Sequence, residues 1–362
     1  MRNFTLKGLF LAVVFMVLGS LSIQAADGDL ITKQITIKLE EAGTLPSKIG
    51  DTKKYKITNL KIMGEINGTD LCFIREMAGS DREGWRTEGK LATLDLSGAK
   101  IVRGGGIYYN SVNCYTSDDV IGNYAFSDCS GLTSLILPSN VTSIGYSAFY
   151  GCIRLTSLTL PSSVTSIGSS AFEGCRSLTS LILPSSVTSI GSSAFYGCSG
   201  LTSLTLPSSV TSIGESAFRG CRSLASLTLP SSVTEIGESA FEGCIRLASL
   251  TLPSSVTSIG KSAFEGCSGL TSIYVSWESP LSIDASTFKD ANTGKCILYV
   301  PKGTYDDYWL SNWGIFENIV EYDATGIDHI TTSGEAKEIS RYAADGQRLE
   351  VPAKGLNIVK YS

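Results

Sequence analysis

The sequence predicts an α/β, β-rich repeat solenoid of 23-residue units, capped at both ends. Three observations predict it. One 23-residue pattern recurs without insertion or deletion from Leu132 to Leu270. Phe126, Phe149, Phe172, Phe195, Phe218, Phe241 and Phe264 stand 23 apart, and Cys129, Cys152, Cys175, Cys198, Cys221, Cys244 and Cys267 keep the same step. Charge is sparse: 17% of the 362 residues are charged, and only 12 charges fall within residues 129–270. Fixed-period self-similarity marks a stacked array, in which each unit covers its apolar face only against its neighbours.

Taken in order, residues 1–26 read as an export signal. Arg2 and Lys7 precede an apolar run from Gly8 to Ile23, and Gln24-Ala25-Ala26 forms the cleavage site. No later segment is predicted to span a membrane, so the mature chain is expected outside the cell, on its surface or secreted. Residues 27–90 read as an N-terminal cap. In it, residues 55–62 suit a strand and residues 69–77 an amphipathic helix with Thr69 or Asp70 at its start. Terminal units carry more charge because one side faces water.

The array covers residues 91–275. Leu91, Leu94 and Leu96 open it, but the next leading Leu is Leu132, so an insertion sits at about 103–120. It carries Gly104-Gly105-Gly106, Tyr108, Tyr109 and Tyr115. Within a typical unit, Leu158 and Leu160 alternate with Ser157 and Thr159, the period of a half-buried strand. Pro161 ends it. Val164 and Ile167 favour a second extended piece. Gly168 allows a turn, Ser169 caps one helical turn carrying Ala171 and Phe172, and Cys175 points inward again. The predicted core is therefore a column of Phe149, Phe172, Phe195, Phe218, Phe241 and Phe264 beside one of Cys152, Cys175, Cys198, Cys221 and Cys244.

The pattern L-x-x-L-x-L-P…V-x-x-I-G-x-x-A-F-x-x-C resembles the leucine-rich repeats of the BspA-like type. The resemblance covers at least residues 91–275. It implies a right-handed leucine-rich repeat horseshoe with a parallel sheet on its concave side. It also implies export, surface exposure and ligand binding, often adhesion.

Residues 276–325 read as a C-terminal cap, sealed by Tyr305, Tyr308, Trp309, Trp313 and Phe316. Residues 326–362 form a small β tail that resembles the C-terminal module of secreted Bacteroidetes proteins, one strand short of its usual length. The ten cysteines suggest disulfides in an exported chain. Equivalent side chains of a ladder run parallel, however, so the near-90° torsion of a bridge is hard to reach, and buried free thiols are expected. A Cys72–Cys114 bridge stays open.

Catalytic signatures are absent. His329 is the single histidine, which speaks against His-based metal sites and Ser-His or Cys-His pairs. Gly104-Gly105-Gly106 lacks the Lys of a phosphate loop. The net charge of -5 gives no basic footprint for nucleic acid. No enzyme activity and no cofactor are expected. The candidate ligand contacts are Tyr108, Tyr109 and Tyr115 in the insertion, Tyr150, Tyr196 and Arg219 on the row that follows the Phe column, and Tyr274 on the sheet. For each, a contact role competes with local packing or a solvated flank. The expected partner is a macromolecule: a host protein, a mucin or another cell. A structural or self-associating envelope spacer is the alternative.

Overall fold

The computed structural model describes residues 29–323, together with the backbone of three tail strands. The predicted export signal and His329 lie outside the described residues. The chain is a β-rich solenoid built on parallel sheets, with little helix. Strands β1 (Ile35–Lys38), β2 (Asn59–Ile66) and β3 (Thr93–Ile101) start a parallel sheet that continues into Ser134–Ile136 and Ser157–Thr159. The same edge of the coil resumes as the pair Ser180–Ile182 and Ser203–Thr205, then as five strands from Ser226–Thr228 to Asn318–Tyr322. Register is kept by leucine on leucine, as in Leu135↔Leu158 and Leu181↔Leu204. A second parallel sheet stacks seven two-residue strands, from Val120–Ile121 to Ser258–Ile259.

The N-terminal cap holds three helices: α1 (Leu45–Ile49), α2 (Asp51–Lys54) and α3 (Gly68–Met77). Strand β2 begins four residues later than the sequence suggests, because α2 and its cap Tyr55 use the preceding segment. Helix α3 is capped by Asn67, whose side chain and that of Asp70 form a reciprocal capping box.

The third side of each coil differs from expectation. No helical turn forms around Ala171-Phe172. Instead the segment is a chain of tight turns in which alternate N–H groups bond within the coil and to the next one. Glu173 N–H donates to Ser170 O at 3.1 Å, while Phe172 N–H donates to Ala194 O at 2.7 Å. Ser170 sits at φ +53 to permit this, and its equivalents do the same. The glycine before each turn serves close approach rather than bending. A Cβ on Gly191 would stand 2.7 Å from Ser169 N, a distance that real side chains do not tolerate.

The core is periodic in the same way. The Phe rings stack at 5.1–5.4 Å, nearly parallel, and the column extends by one ring to Phe288. From Cys152 to Cys267, each ladder thiol donates to the Phe carbonyl of the coil before it, as Cys198 Sγ does to Phe172 O at 3.1 Å. All ten cysteines, Cys72 and Cys114 included, are free thiols. Hydroxyls also join coils: Ser209 Oγ donates to Val187 O at 2.5 Å and Thr156 Oγ1 to Thr133 O at 3.0 Å. Part of the Ser/Thr richness is therefore internal bonding, not surface.

The end of the array is closed by a short helix α4 (Tyr305–Trp309) and the strands Ile297–Pro301 and Asn318–Tyr322. Tyr308, Trp313 and Phe316 are buried, and Tyr308 Oη donates to Trp277 O at 2.9 Å. Trp309 departs from the expected seal: it stays exposed, stacked only on Tyr305. In the tail, Glu338–Ala343 pairs antiparallel with Arg348–Leu349 on one side and Asn357–Tyr361 on the other.

Candidate functional site

The insertion is a hairpin, β4 (Gly104–Tyr109) against β5 (Cys114–Thr116), laid on the start of α3. Its glycines make that contact possible. A Cβ on Gly105 would stand 2.4 Å from Asn67 Oδ1, and Gly106 N–H donates to Thr69 Oγ1 at 3.1 Å.

This placement removes Tyr108 from the contact candidates. Its ring is buried and its hydroxyl donates to Asn123 O at 2.8 Å. The reason lies in the coil-to-coil ladder. Tyr146 O and Ala148 O accept N–H groups from the coil before them, at 2.9 and 2.7 Å. The equivalent carbonyls of the first coil, Asn123 and Ala125, have no earlier coil. Tyr108 serves the first, and Arg75 of α3 serves the second at 3.3 Å while also donating to Tyr124 O at 2.6 Å. Tyr109 is half-buried between the Arg75 guanidinium, 5.0 Å from its ring, and Tyr124, stacked at 4.6 Å. Of the three insertion tyrosines only Tyr115 faces solvent freely.

Tyr274 is half-buried on the sheet, stacked on Tyr299 at 4.3 Å and edge-on to Tyr322. Along the repeats that face is uncharged, a hydroxyl surface interrupted by Ile136 and Ile182, 42% and 82% exposed; its N-terminal strands add the Lys61–Asp95 pair at 2.7 Å. Nothing on this face converges.

The flank is different. Eleven of the twelve charges of residues 129–270 lie in the turns around the Phe column; Glu235 is the exception. The row that follows the Phe reads Tyr150, Glu173, Tyr196, Arg219, Glu242, Glu265. Its C-terminal half neutralises itself: Arg219 pairs with Glu242 at 2.8 Å and Lys289 with Glu265 at 2.9 Å. Arg219 also lies 5.9 Å over the Tyr196 ring. The N-terminal half stays open. There Tyr150 and Tyr196, 40% and 38% exposed, line a groove with Glu173, Arg176, Asp128 and Arg86.

The groove floor includes Gly151, Gly174 and Gly197, at φ +68 to +73, and the Asp128 carboxylate lies against Gly151, where an added Cβ would stand 2.4 Å from its Oδ1. Its outer wall is the cap loop 79–86, held by Asp81, whose carboxylate accepts from Glu83 N–H and Trp85 N–H at 2.9 and 2.8 Å. Trp85 is 73% exposed on that loop. Burial, and then the field of Glu173 and Asp128, push the Tyr150 phenol up from its ordinary value. Burial likewise raises the Asp128 carboxyl. Tyr150 and Tyr196 were legible as flank candidates. Arg86 was missed, because nothing in the sequence tells that the cap loop folds over the first coils, and Asp128 because it stands 23 residues before Gly151 in the place that later coils give to glycine. Among the described residues, no group of three or more His, Cys, Asp or Glu could hold a metal ion, and no helix is long and apolar enough to cross a membrane.

A stacked, parallel-sheet array of this period, with inward Leu, Phe and Cys columns, defines a leucine-rich repeat solenoid. The family model described as BspA type leucine rich repeat region, in six copies, matches residues 109–216 and 188–300, more than half of the chain. The chain belongs to that family. Among solved structures it is similar to a leucine rich repeat protein of T. pallidum, with 40% identity over 42% of this chain and 71% of that one, at a TM-score of 0.41. A leucine-rich repeat protein from Bacteroides ovatus gives 22% identity over 66% of this chain and 60% of that one, at 0.39. A leucine rich cell surface protein from Faecalibacterium prausnitzii gives 23% identity over 78% and 90%, at 0.29. No curated protein matches.

Proposed function

We propose that this repeat protein is exported, acts at the cell surface or after release from it, and docks a macromolecular partner through the groove beside its N-terminal cap. A host matrix protein, a mucin or another cell would be that partner. The carrying observation is the convergence of Tyr150 and Tyr196 with four charged side chains on a floor of glycines, where the sheet face of the repeats offers mainly hydroxyls. Binding energy concentrates on a few aromatic and Arg anchors rather than on a uniform hydroxyl surface. The export signal read in residues 1–26 and the surface location of family relatives support the location.

Surface-immobilised matrix glycoproteins and mucins test the reading against the purified protein. The expected result is saturable binding that the double substitution Tyr150→Ala with Tyr196→Ala removes. A folded protein that binds none of them, and instead grows in light scattering with its own concentration, would favour the envelope-spacer reading.

A further inference from the structure

We infer that the groove is a carbohydrate subsite for a neutral, extended β-1,4-linked glycan; this rests on the docking reading above and names what the groove reads. Four observations lead there.

First, the two exposed tyrosines stand two coils apart on one row, and each coil advances by about 5 Å, as the Phe149–Phe172 and Phe172–Phe195 spacings of 5.1 and 5.2 Å record. An extended β-1,4-linked pyranose chain advances by a similar step per sugar. It also turns over each successive ring, so every second ring shows the same face. Tyr150 and Tyr196 are thus placed to stack on sugars i and i+2.

Second, the carboxylate of Glu173 lies on the row between the two rings, with Asp128, Arg86 and Arg176 around it. Planar carboxylate and guanidinium groups accept from and donate to neighbouring ring hydroxyls in pairs. Among the described residues, none of Arg86, Arg176 and Glu173 has an ion-pair partner within 4.0 Å.

Third, the charges balance, two acids against two guanidiniums. That favours a neutral chain over a uronate or sulfated one, which an excess of cations would attract.

Fourth, the backbone along the groove is already committed. Tyr150 O accepts from Asp128 N–H, Glu173 O from Gly151 N–H and Tyr196 O from Gly174 N–H, at 2.7, 2.9 and 2.8 Å. A peptide adding as a strand would need those groups free. A glycan needs side chains and ring faces, which are what the groove offers.

Calorimetric titration of the purified protein with cellohexaose, xylohexaose and mannohexaose tests this, with maltohexaose, whose α-linkage curls the chain, as the comparison. At least one β-1,4 hexasaccharide should bind, and maltohexaose should not. Tyr150→Ala and Tyr196→Ala should each weaken binding about fivefold or more, a loss typical of an anchor side chain. Tyr115→Ala should leave it unchanged. All three positions are exposed, and an unaltered thermal melt certifies that each variant folds.

Absence of binding by all three β-linked probes overturns the proposal, as does equal binding of maltohexaose or a double tyrosine variant that binds like the parent. A glycoprotein partner that still binds after enzymatic removal of its glycans leaves the docking reading standing and overturns this one alone.

Discussion

At the scale of single residues, the repeat is explained by what each side chain does for the next coil. Phe195 lies between Phe172 and Phe218 at 5.2 Å on either side and is fully buried. Phe195→Ala should cost about 3–5 kcal/mol in a denaturant melt, as for other buried aromatics; a loss under about 1 kcal/mol would remove the ring from the core account. The cysteines predict a pH dependence. Burial holds the thiols of Cys198 and Cys267 up at about 12 and that of Cys129 at about 11, against an ordinary 9.0. The folded state therefore keeps protons that the unfolded chain gives up above pH 9. The contribution of these thiols is complete below pH 9 and is lost as pH rises toward 12. Denaturant midpoints measured from pH 8 to 11 should fall above pH 9, and Cys198→Ala should flatten that fall; a flat profile in the parent would contradict the buried-thiol account.

At the scale of elements, the ends are where a periodic structure must improvise. The first coil has carbonyls that no earlier coil can serve, and Tyr108 and Arg75 supply the donors. Tyr108→Phe keeps the ring and removes one donor, leaving Asn123 O unserved. It should cost about 1–3 kcal/mol, and hydrogen exchange should show faster opening of the first coils than of coils near Phe218. Unchanged stability and exchange would show that water replaces the hydroxyl. This element also marks the boundary of what the sequence discloses. The Phe and Cys columns, the Leu strands and the second short strand are local and repeated, so their period reveals them. The burial of Tyr108, the sandwich around Tyr109 and the turn chain in place of a helical turn depend on contacts between segments that share no period. Even the eighth ring, Phe288, hides because its spacing from Phe264 is 24 rather than 23.

At the scale of the whole molecule, low charge is a property of the stacked sheets, where hydroxyls and apolar side chains serve coil-to-coil bonding. The charges collect on one flank. In its C-terminal half the row after the Phe column pairs Arg219 with Glu242 and Lys289 with Glu265, contacts at the surface that are worth little to stability, while its N-terminal half meets the cap loop and stays open. Function is therefore predicted to reside where the periodic array meets its aperiodic cap. Hydroxyl-radical footprinting of the protein with and without a bound glycoprotein tests this most directly. The account predicts protection of Tyr150, Tyr196 and Trp85, with Ile182 and Tyr115 reacting as before. Protection of Ile182 on the sheet, with Tyr150 and Tyr196 unchanged, would contradict it.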